Sequence, residues 1–183
     1  MKITQASLPG VLVVEPRIFR DERGFFLETH SERAYGEAGI GPFVQDNFSH
    51  SVRDTVRGLH FQEPEGQGKL CTILRGSVYD VFVDVRRGSP TFGQWGSVEL
   101  DEETMRQVWI PPGFAHGFCV TSDVAHFHYK CTRPYAPTAE RTIVWNDPVL
   151  AIPWPLRGEA IVSGKDRVAP TLADSPVLPQ HQS

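Results

Sequence analysis

No stretch of this chain approaches the ~18 apolar residues that a membrane span needs, and Met1-Lys2-Ile3-Thr4-Gln5 opens no apolar secretory core. The expected setting is the cytoplasm, with no membrane partner. Cysteine is scarce: Cys71, Cys119 and Cys131 are odd in number, far apart and without a Cys-x-x-Cys, which suggests neither a disulfide framework nor a thiolate metal site. Asn47-Phe48-Ser49 fits the glycosylation pattern, but without a secretory leader that pattern carries no meaning. There is no basic block either. Lys and Arg number 18 against 22 Asp and Glu, a net charge of −4, so nucleic acid is not an expected partner. No Gly-x-Gly-x-x-Gly follows a strand, and Gly66-Gln67-Gly68-Lys69-Leu70 lacks the loop length and the Ser/Thr of a P-loop. Nicotinamide and ATP chemistry are thereby disfavoured. Helical periodicity is nearly missing; Ser31 to Ala38 is the exception, with Ser31 as N-cap and Gly39 just past the end.

What the sequence has instead is strands. Its 183 residues, 40% hydrophobic and 22% charged, suit one domain with a sizeable core. Val11 to Glu15 is an apolar run closed by Pro16, and the charged turn Asp21-Glu22-Arg23-Gly24 leads into Phe25-Phe26-Leu27-Glu28. Val44 to Val52 alternates, so Gln45, Asn47 and Ser49 share one face, and polar residues along one side of a strand suggest a wet groove. Gly58 to Gln62 follows, then Lys69 to Leu74, turned by Arg75-Gly76 into Ser77 to Val85. Trp95 to Leu100 and Gln107 to Ile110 read as two arms of one pairing, before Pro111-Pro112-Gly113 breaks the chain. With Phe118 to Thr121, Ala125 to Thr132 and Arg141 to Trp145, about ten short strands fall at the spacing of a sandwich or barrel. The expected fold is therefore all-β, a jelly-roll barrel of antiparallel strands with little helix, forming a single domain over 1–174. Ile152-Pro153-Trp154-Pro155 reads as irregular packing, and 175–183 as a disordered tail.

The chain is organised around Arg57-Gly58-Leu59-His60, a cation and an imidazole between two β-like runs. A metal site is the first reading to test. Jelly-roll barrels hold metals on a His-x-His with a later His after a Pro-x-Gly turn, and Pro111-x-Gly113-x-x-His116 supplies only the second half. His126-Phe127-His128 lies on the wrong side of that turn, and alternation sets Phe127, Tyr129 and Cys131 against His126, His128 and Lys130. With the apolar face inward those histidines point outward, and no convergent ligand set remains. The other reading is acid–base chemistry in an aqueous groove. His60 exchanges a proton near neutral pH. Tyr129 fits either a core tyrosine with a satisfied hydroxyl or a proton donor. Lys69 fits either a solvated lysine or a cation facing an oxyanion. Arg57 and Arg23 fit either surface residues or a phosphate clamp. Arg57 and His60 have opposite strand parity, so both reach one cavity only if the strand bulges or twists between them.

Phe19 with Asp21-Glu22-Arg23-Gly24-Phe25-Phe26-x-Glu28, Gln45-x-Asn47-x-Ser49, Arg57-Gly58-Leu59-His60-x-Gln62 and Gly68-Lys69 make a distinctive series. Ser89-Pro90-Thr91-Phe92-Gly93, Pro112-Gly113-Phe114-Ala115-His116-Gly117-Phe118 and Trp145-x-Asp147 continue it. Together, in order from about Ile3 to Pro170, they resemble the dTDP-4-dehydrorhamnose 3,5-epimerase family. The resemblance implies a cupin-type homodimer that uses no cofactor and no metal. It implies a dTDP-linked 4-keto-6-deoxyhexose as substrate, epimerised at C3 and C5 on the way to dTDP-L-rhamnose. His60 then corresponds to the general base, Asp166 to the carboxylate behind it, Tyr129 to the acid and Lys69 to the cation near the enolate oxygen. Arg23, Glu28, Gln45, Asn47, Arg57, His116, Glu140 and Lys165 match substrate-contacting positions, with Phe26 and Tyr135 packing around thymine or pyrophosphate. An N-terminal strand exchanged across the dimer would carry some of these contacts to the partner's nucleotide. Relatives that epimerise one carbon share every motif, and a non-catalytic cupin that binds a nucleotide sugar is the alternative from another class.

Overall fold

Alternation decides which side chains meet the interior, and in this protein it also shapes the cavity. A computed structural model describes residues 1–181. Fourteen strands and two short helices follow in the order β1 (Lys2–Gln5), β2 (Leu12–Glu15), β3 (Ile18–Asp21), β4 (Gly24–Leu27), α1 (Glu32–Gly36), β5 (Gln45–Val52), β6 (Thr55–Gln62), β7 (Lys69–Arg75), β8 (Ser77–Asp84), β9 (Trp95–Asp101), β10 (Gln107–Ile110), β11 (Phe114–Val120), β12 (Val124–Cys131), β13 (Glu140–Thr142), β14 (Ile161–Val162) and α2 (Gly164–Arg167). One six-stranded sheet runs β1-β2-β10-β7-β12-β5 and the other β13-β6-β11-β8-β9, with β14 added to β6. Every pairing but β14–β6 is antiparallel. This is the antiparallel β-barrel architecture that the strand pattern predicts, of the cupin-like kind that the resemblance implies. No helix among the described residues is long and apolar enough to cross a membrane.

The core between the sheets is built from inward residues of both, with Ile73 and Val108 facing Val78 and Phe82. Phe118 stacks on Phe127, centroids 4.2 Å apart and planes within 6°. Strands β8 and β11 are buried on both faces, because Val81, Val83 and Ala115 pack outward against Leu150, Ile152 and Leu172 of the C-terminal segment. That is why these strands read as continuous apolar runs rather than as clean alternation. On the other sheet, Tyr35 and Ile40 around α1 cover Val14, Leu70 and Trp109. Ser31 does occupy the N-cap position of α1, but its side chain makes no capping bond; the helix is held by packing and by the Tyr35 hydroxyl donating to Gln107 Oε1 at 2.7 Å.

Two expectations need correction. Strands β9 and β10 do not pair with each other: β9 lies beside β8 in one sheet, and β10 lies between β2 and β7 in the other. The turn between them explains the divergence. Asp101 Oδ1 accepts from the amides of Glu103 and Thr104 at 2.9 and 2.7 Å, and Met105 takes a φ of 52°, which carries the chain across the barrel. The segment read as a disordered tail is docked over 175–181. Leu178 is buried beside Val85, the Arg87 amide donates to Pro179 O at 2.8 Å, and the His181 amide donates back to Arg87 O at 2.9 Å. Low sequence complexity there hid a strand-like clasp. Residues 182 and 183 of that segment lie outside the described residues.

Candidate active site

The parity conflict between Arg57 and His60 is resolved by a bulge. On β11 the pairing steps two residues, from His116 to Phe118, while on β6 it steps three, from His60 to Arg57. One extra residue on β6 turns Arg57 and His60 to the same side, and both line a cavity of about 900 Å³ at the barrel mouth. Gly58 makes the bulge possible. Its φ is +134°, and a Cβ there would sit 2.5 Å from Gly117 Cα and 2.8 Å from His116 O. Both obstacles are backbone, so only glycine fits at this crossing.

The cavity wall opposite is β5, where Asn47, Ser49 and Ser51 are the less exposed, inward face and Phe48, His50 and Val52 the exposed one, as the alternation predicts. Ser51 Oγ accepts from Arg57 Nε at 3.0 Å and orients the guanidinium. Helix α2 supplies Asp166, whose amide donates to its N-cap, Ser163 Oγ, at 3.1 Å. One carboxylate oxygen meets His60 Nε2 at 2.6 Å and the other accepts from the Gly58 amide at 3.4 Å. Burial pushes the Asp166 carboxyl up, but the His60 imidazole and the Gly58 amide outweigh it and hold the group below its ordinary range. With Nε2 committed to Asp166, the free nitrogen of His60 is Nδ1.

Tyr129 and Phe127 enter the cavity from β12, leaving His126 and His128 on the outer face, again as alternation requires. Burial pushes the Tyr129 phenol up to about 12. Lys69 is buried at the start of β7, where it donates to His60 O at 3.3 Å, and burial lowers its ammonium pKa. His116 lies beside His60 in the β6–β11 register and bonds Asp80 Oδ2 at 2.8 Å. Glu140 accepts from Lys165 Nζ at 2.7 Å and from the Tyr135 hydroxyl at 3.0 Å. Burial raises the Glu140 carboxyl pKa, and these two donors more than reverse the effect. Among the described residues one group has the spacing to hold a cation: Cys71, Asp80 and His116.

Of the residues singled out by sequence, His60, Lys69, Tyr129, Asp166, Asn47, Arg57, His116, Glu140 and Lys165 thus share one cavity. Gln45 and Tyr135 flank a smaller adjoining recess that Tyr129 and Asn47 also line. Gln45 Oε1 accepts from the Tyr135 amide at 2.8 Å. Arg23, Phe26 and Glu28 are not brought to this cavity. Arg23 and Phe26 belong to the β3–β4 hairpin, where Phe26 is 71% exposed and Arg23 pairs with Asp21. Sequence reasoning missed Ser51, Ser163 and Asp80. Ser163-x-x-Asp166 does carry a capping signal, and Asp80 shares parity with the core residues Val78 and Phe82.

Comparison with known proteins agrees with this geometry. A family profile described as dTDP-4-dehydrorhamnose 3,5-epimerase matches residues 5–174. A Pseudomonas aeruginosa protein named dTDP-4-dehydrorhamnose 3,5-epimerase is 52% identical over 98% of this chain and 100% of its own length. The crystal structure of the Legionella pneumophila 3,5-epimerase, in complex with dTDP-4-keto-L-rhamnose, superposes with a TM-score of 0.96 at 49% identity, covering 100% of this chain and 99% of that one. A 3'-monoepimerase from Streptomyces bikiniensis, in complex with dTDP-quinovose, gives 0.91 at 38% identity over 95% and 91% of the two chains. A match of this extent, carried through the very strands that build the cavity, means that the chain belongs to the dTDP-4-dehydrorhamnose 3,5-epimerase family.

Proposed function

We propose that the protein converts dTDP-4-dehydro-6-deoxy-D-glucose to dTDP-4-dehydro-L-rhamnose by inverting C3 and C5, without a cofactor, in dTDP-L-rhamnose biosynthesis. The observation that carries the reading is the His60–Asp166 pair, 2.6 Å apart, opening into a cavity also lined by Lys69 and Tyr129. The C4 ketone acidifies the hydrogens on both neighbouring carbons. His60 Nδ1 takes one of them as a proton, and Asp166 stabilises the imidazolium that results. The electrons move onto the ketone oxygen, where the Lys69 ammonium stabilises the enolate. Tyr129, which keeps its proton at neutral pH, returns a proton to the opposite face of the carbon. Arg57 and Lys165 supply positive charge for the diphosphate, with Asn47, His116 and Glu140 contacting the rest of the ligand.

The reading includes a cytoplasmic homodimer. Three unpaired, buried cysteines suit a reducing compartment. The β3–β4 hairpin exposes Phe19, Phe25 and Phe26, which suits packing against a second copy, and in that dimer Arg23, Phe26, Glu28 and Tyr135 would complete a nucleotide site. Incubating the protein with the 4-keto sugar nucleotide in deuterated water tests the chemistry. Deuterium at both C3 and C5 supports the double epimerase. Label at one carbon only would favour a mono-epimerase such as the Streptomyces bikiniensis relative, and label at neither a binding protein. For the dimer, Arg23→Ala and His60→Ala chains mixed by co-expression should restore roughly a quarter of the sites, since one site of each heterodimer is intact. No recovery would mean that each chain completes its own site.

A further inference from the structure

Beneath the cavity, three potential ligands converge that the proposed chemistry leaves without a common task. Cys71 and Lys69 share the inward face of β7, Asp80 projects from β8 and His116 from β11, and one ligand atom from each of Cys71, Asp80 and His116 lies within 4.8 Å of the others. His116 Nε2 is 2.8 Å from Asp80 Oδ2 and 3.9 Å from Cys71 Sγ. Cys71 and Asp80 are fully buried, and Asp80 Oδ1 has no hydrogen-bond partner. A buried carboxylate oxygen without a donor is costly, and it marks a place where a cation would be welcome. We propose that Cys71, Asp80 and His116 form a latent site for a thiophilic divalent cation of the zinc class, with its fourth position open toward the cavity.

The geometry is close to what such an ion takes. Tetrahedral zinc with bonds of about 2.0–2.1 Å to nitrogen and oxygen and about 2.3 Å to sulfur places N and O about 3.4 Å apart and N and S about 3.6 Å apart. Shifts of about half an ångström bring His116 Nε2 to those separations from Asp80 Oδ2 and Cys71 Sγ. The thiol gives its proton to the buffer, and the imidazole of His116 takes the tautomer with its proton on Nδ1, which frees the Nε2 lone pair for the ion. The Lys69 ammonium, two residues before Cys71 on β7, is the opposing charge. His116 faces the cavity, which gives the ion a route inward, and an occupied site would withdraw that imidazole from the substrate.

The test uses the full chain, stripped with chelator and titrated with cobalt(II) and zinc(II) chlorides. Expected are one zinc per chain by elemental analysis and a near-ultraviolet thiolate–cobalt charge-transfer band. Cys71→Val should lose the band and weaken zinc binding by more than about 100-fold, the upper end of what a supporting residue alone contributes. Cys71→Ser gives the same reading should the valine variant not fold. His126→Ala, which removes an exposed imidazole paired with His50, should leave the band unchanged. Absence of the band from the unmodified protein, or its persistence in both Cys71 variants, overturns the site. Zinc inhibition of deuterium exchange rests on the proposed function, whereas the band does not, so the two fail separately.

Discussion

Replacing Asp166 by Asn separates the electrostatic support of His60 from its surroundings with almost no change in volume. Asp166 is 3% exposed in its side chain and His60 28%, so their interaction is neither fully screened nor in a dry interior. With an effective dielectric of about 20 and about 4 Å between charge centres, the carboxylate stabilises an imidazolium by about 4 kcal/mol. That interaction exists mainly once His60 has taken the proton, so it acts on the transition state. Its loss should slow kcat by about 10³-fold at about 1.4 kcal/mol per decade, with KM nearly unchanged because the carboxylate faces the imidazole and the Gly58 amide. An Asn amide that donates to Nε2 would also force the proton of a neutral His60 onto Nδ1, the atom assigned as base. The assay is proton–deuterium exchange at C3 and C5, followed by NMR, with the nucleotide dissociation constant measured in parallel. Exchange within about tenfold of the unsubstituted protein would refute the role of Asp166, since the charge would then contribute less than about 1.4 kcal/mol.

Three further outcomes follow from other parts of the structure. Tyr129→Phe should leave measurable exchange on the His60 face while reducing inversion at least about 100-fold, as expected for loss of a positioned acid; equal losses of exchange and inversion would remove Tyr129 as the reprotonating group. Gly58→Ala should destabilise by at least about 2 kcal/mol in denaturant unfolding, because its Cβ would meet the backbone of Gly117 and His116; unchanged stability would mean that the bulge relaxes freely. Asp84 is fully buried and accepts from Arg86, Ser89 and Thr91. Burial pushes its carboxyl up, but these donors hold it down at about 2, against 3.8 ordinarily. Its folded-state pKa is thus depressed, so the stabilisation is fully present above the unfolded value and fades as pH falls from about 4 to about 2. Asp84→Asn should therefore cost about 2 kcal/mol at neutral pH, and the deficit should shrink on acidification; a deficit independent of pH would assign the loss to packing.

The parts of this site that could be read in the sequence are those written in local periodicity. Alternation along 45–52 places Asn47, Ser49 and Ser51 on the cavity side, and alternation along 124–131 turns Phe127 and Tyr129 in while His126 meets His50 outside at 3.1 Å. What periodicity does not carry is contact between distant positions. His60 and Asp166 are 106 residues apart, and Asp166 rides on a four-residue helix too short to show an amphipathic pattern, so only family resemblance pointed to it. The opposite parity of Arg57 and His60 called for a bulge or twist between them, but not for its place at Gly58, which is set by the approach of another strand's backbone. Strands β9 and β10 were paired by proximity in sequence, whereas the Asp101 turn sends them to different sheets. The 175–181 clasp escaped because Pro, Gln and Ser dominate its composition, and its hold depends on one buried leucine and on backbone bonds to Arg87.

His60 and His116 both line the cavity wall, and their surroundings differ in a way that favours one of them as the proposed base. The β6–β11 register sets His60 directly beside His116, and each imidazole is bonded through Nε2 to a carboxylate of another element. The two carboxylates differ in surroundings. Asp166 receives the Gly58 amide as well as the imidazole, and these bonds hold it below the ordinary range despite partial burial. Asp80 is wholly enclosed, has an oxygen without a donor, and is pulled by burial above the ordinary range despite His116. A carboxylate that stays charged stabilises an imidazolium; one drawn toward its neutral form does so less. His60 also faces the cavity more openly, at 28% side-chain exposure against 9% for His116. The wall therefore separates two similar pairs by environment, a difference that supports the proposed roles of His60 as base and His116 as a substrate contact.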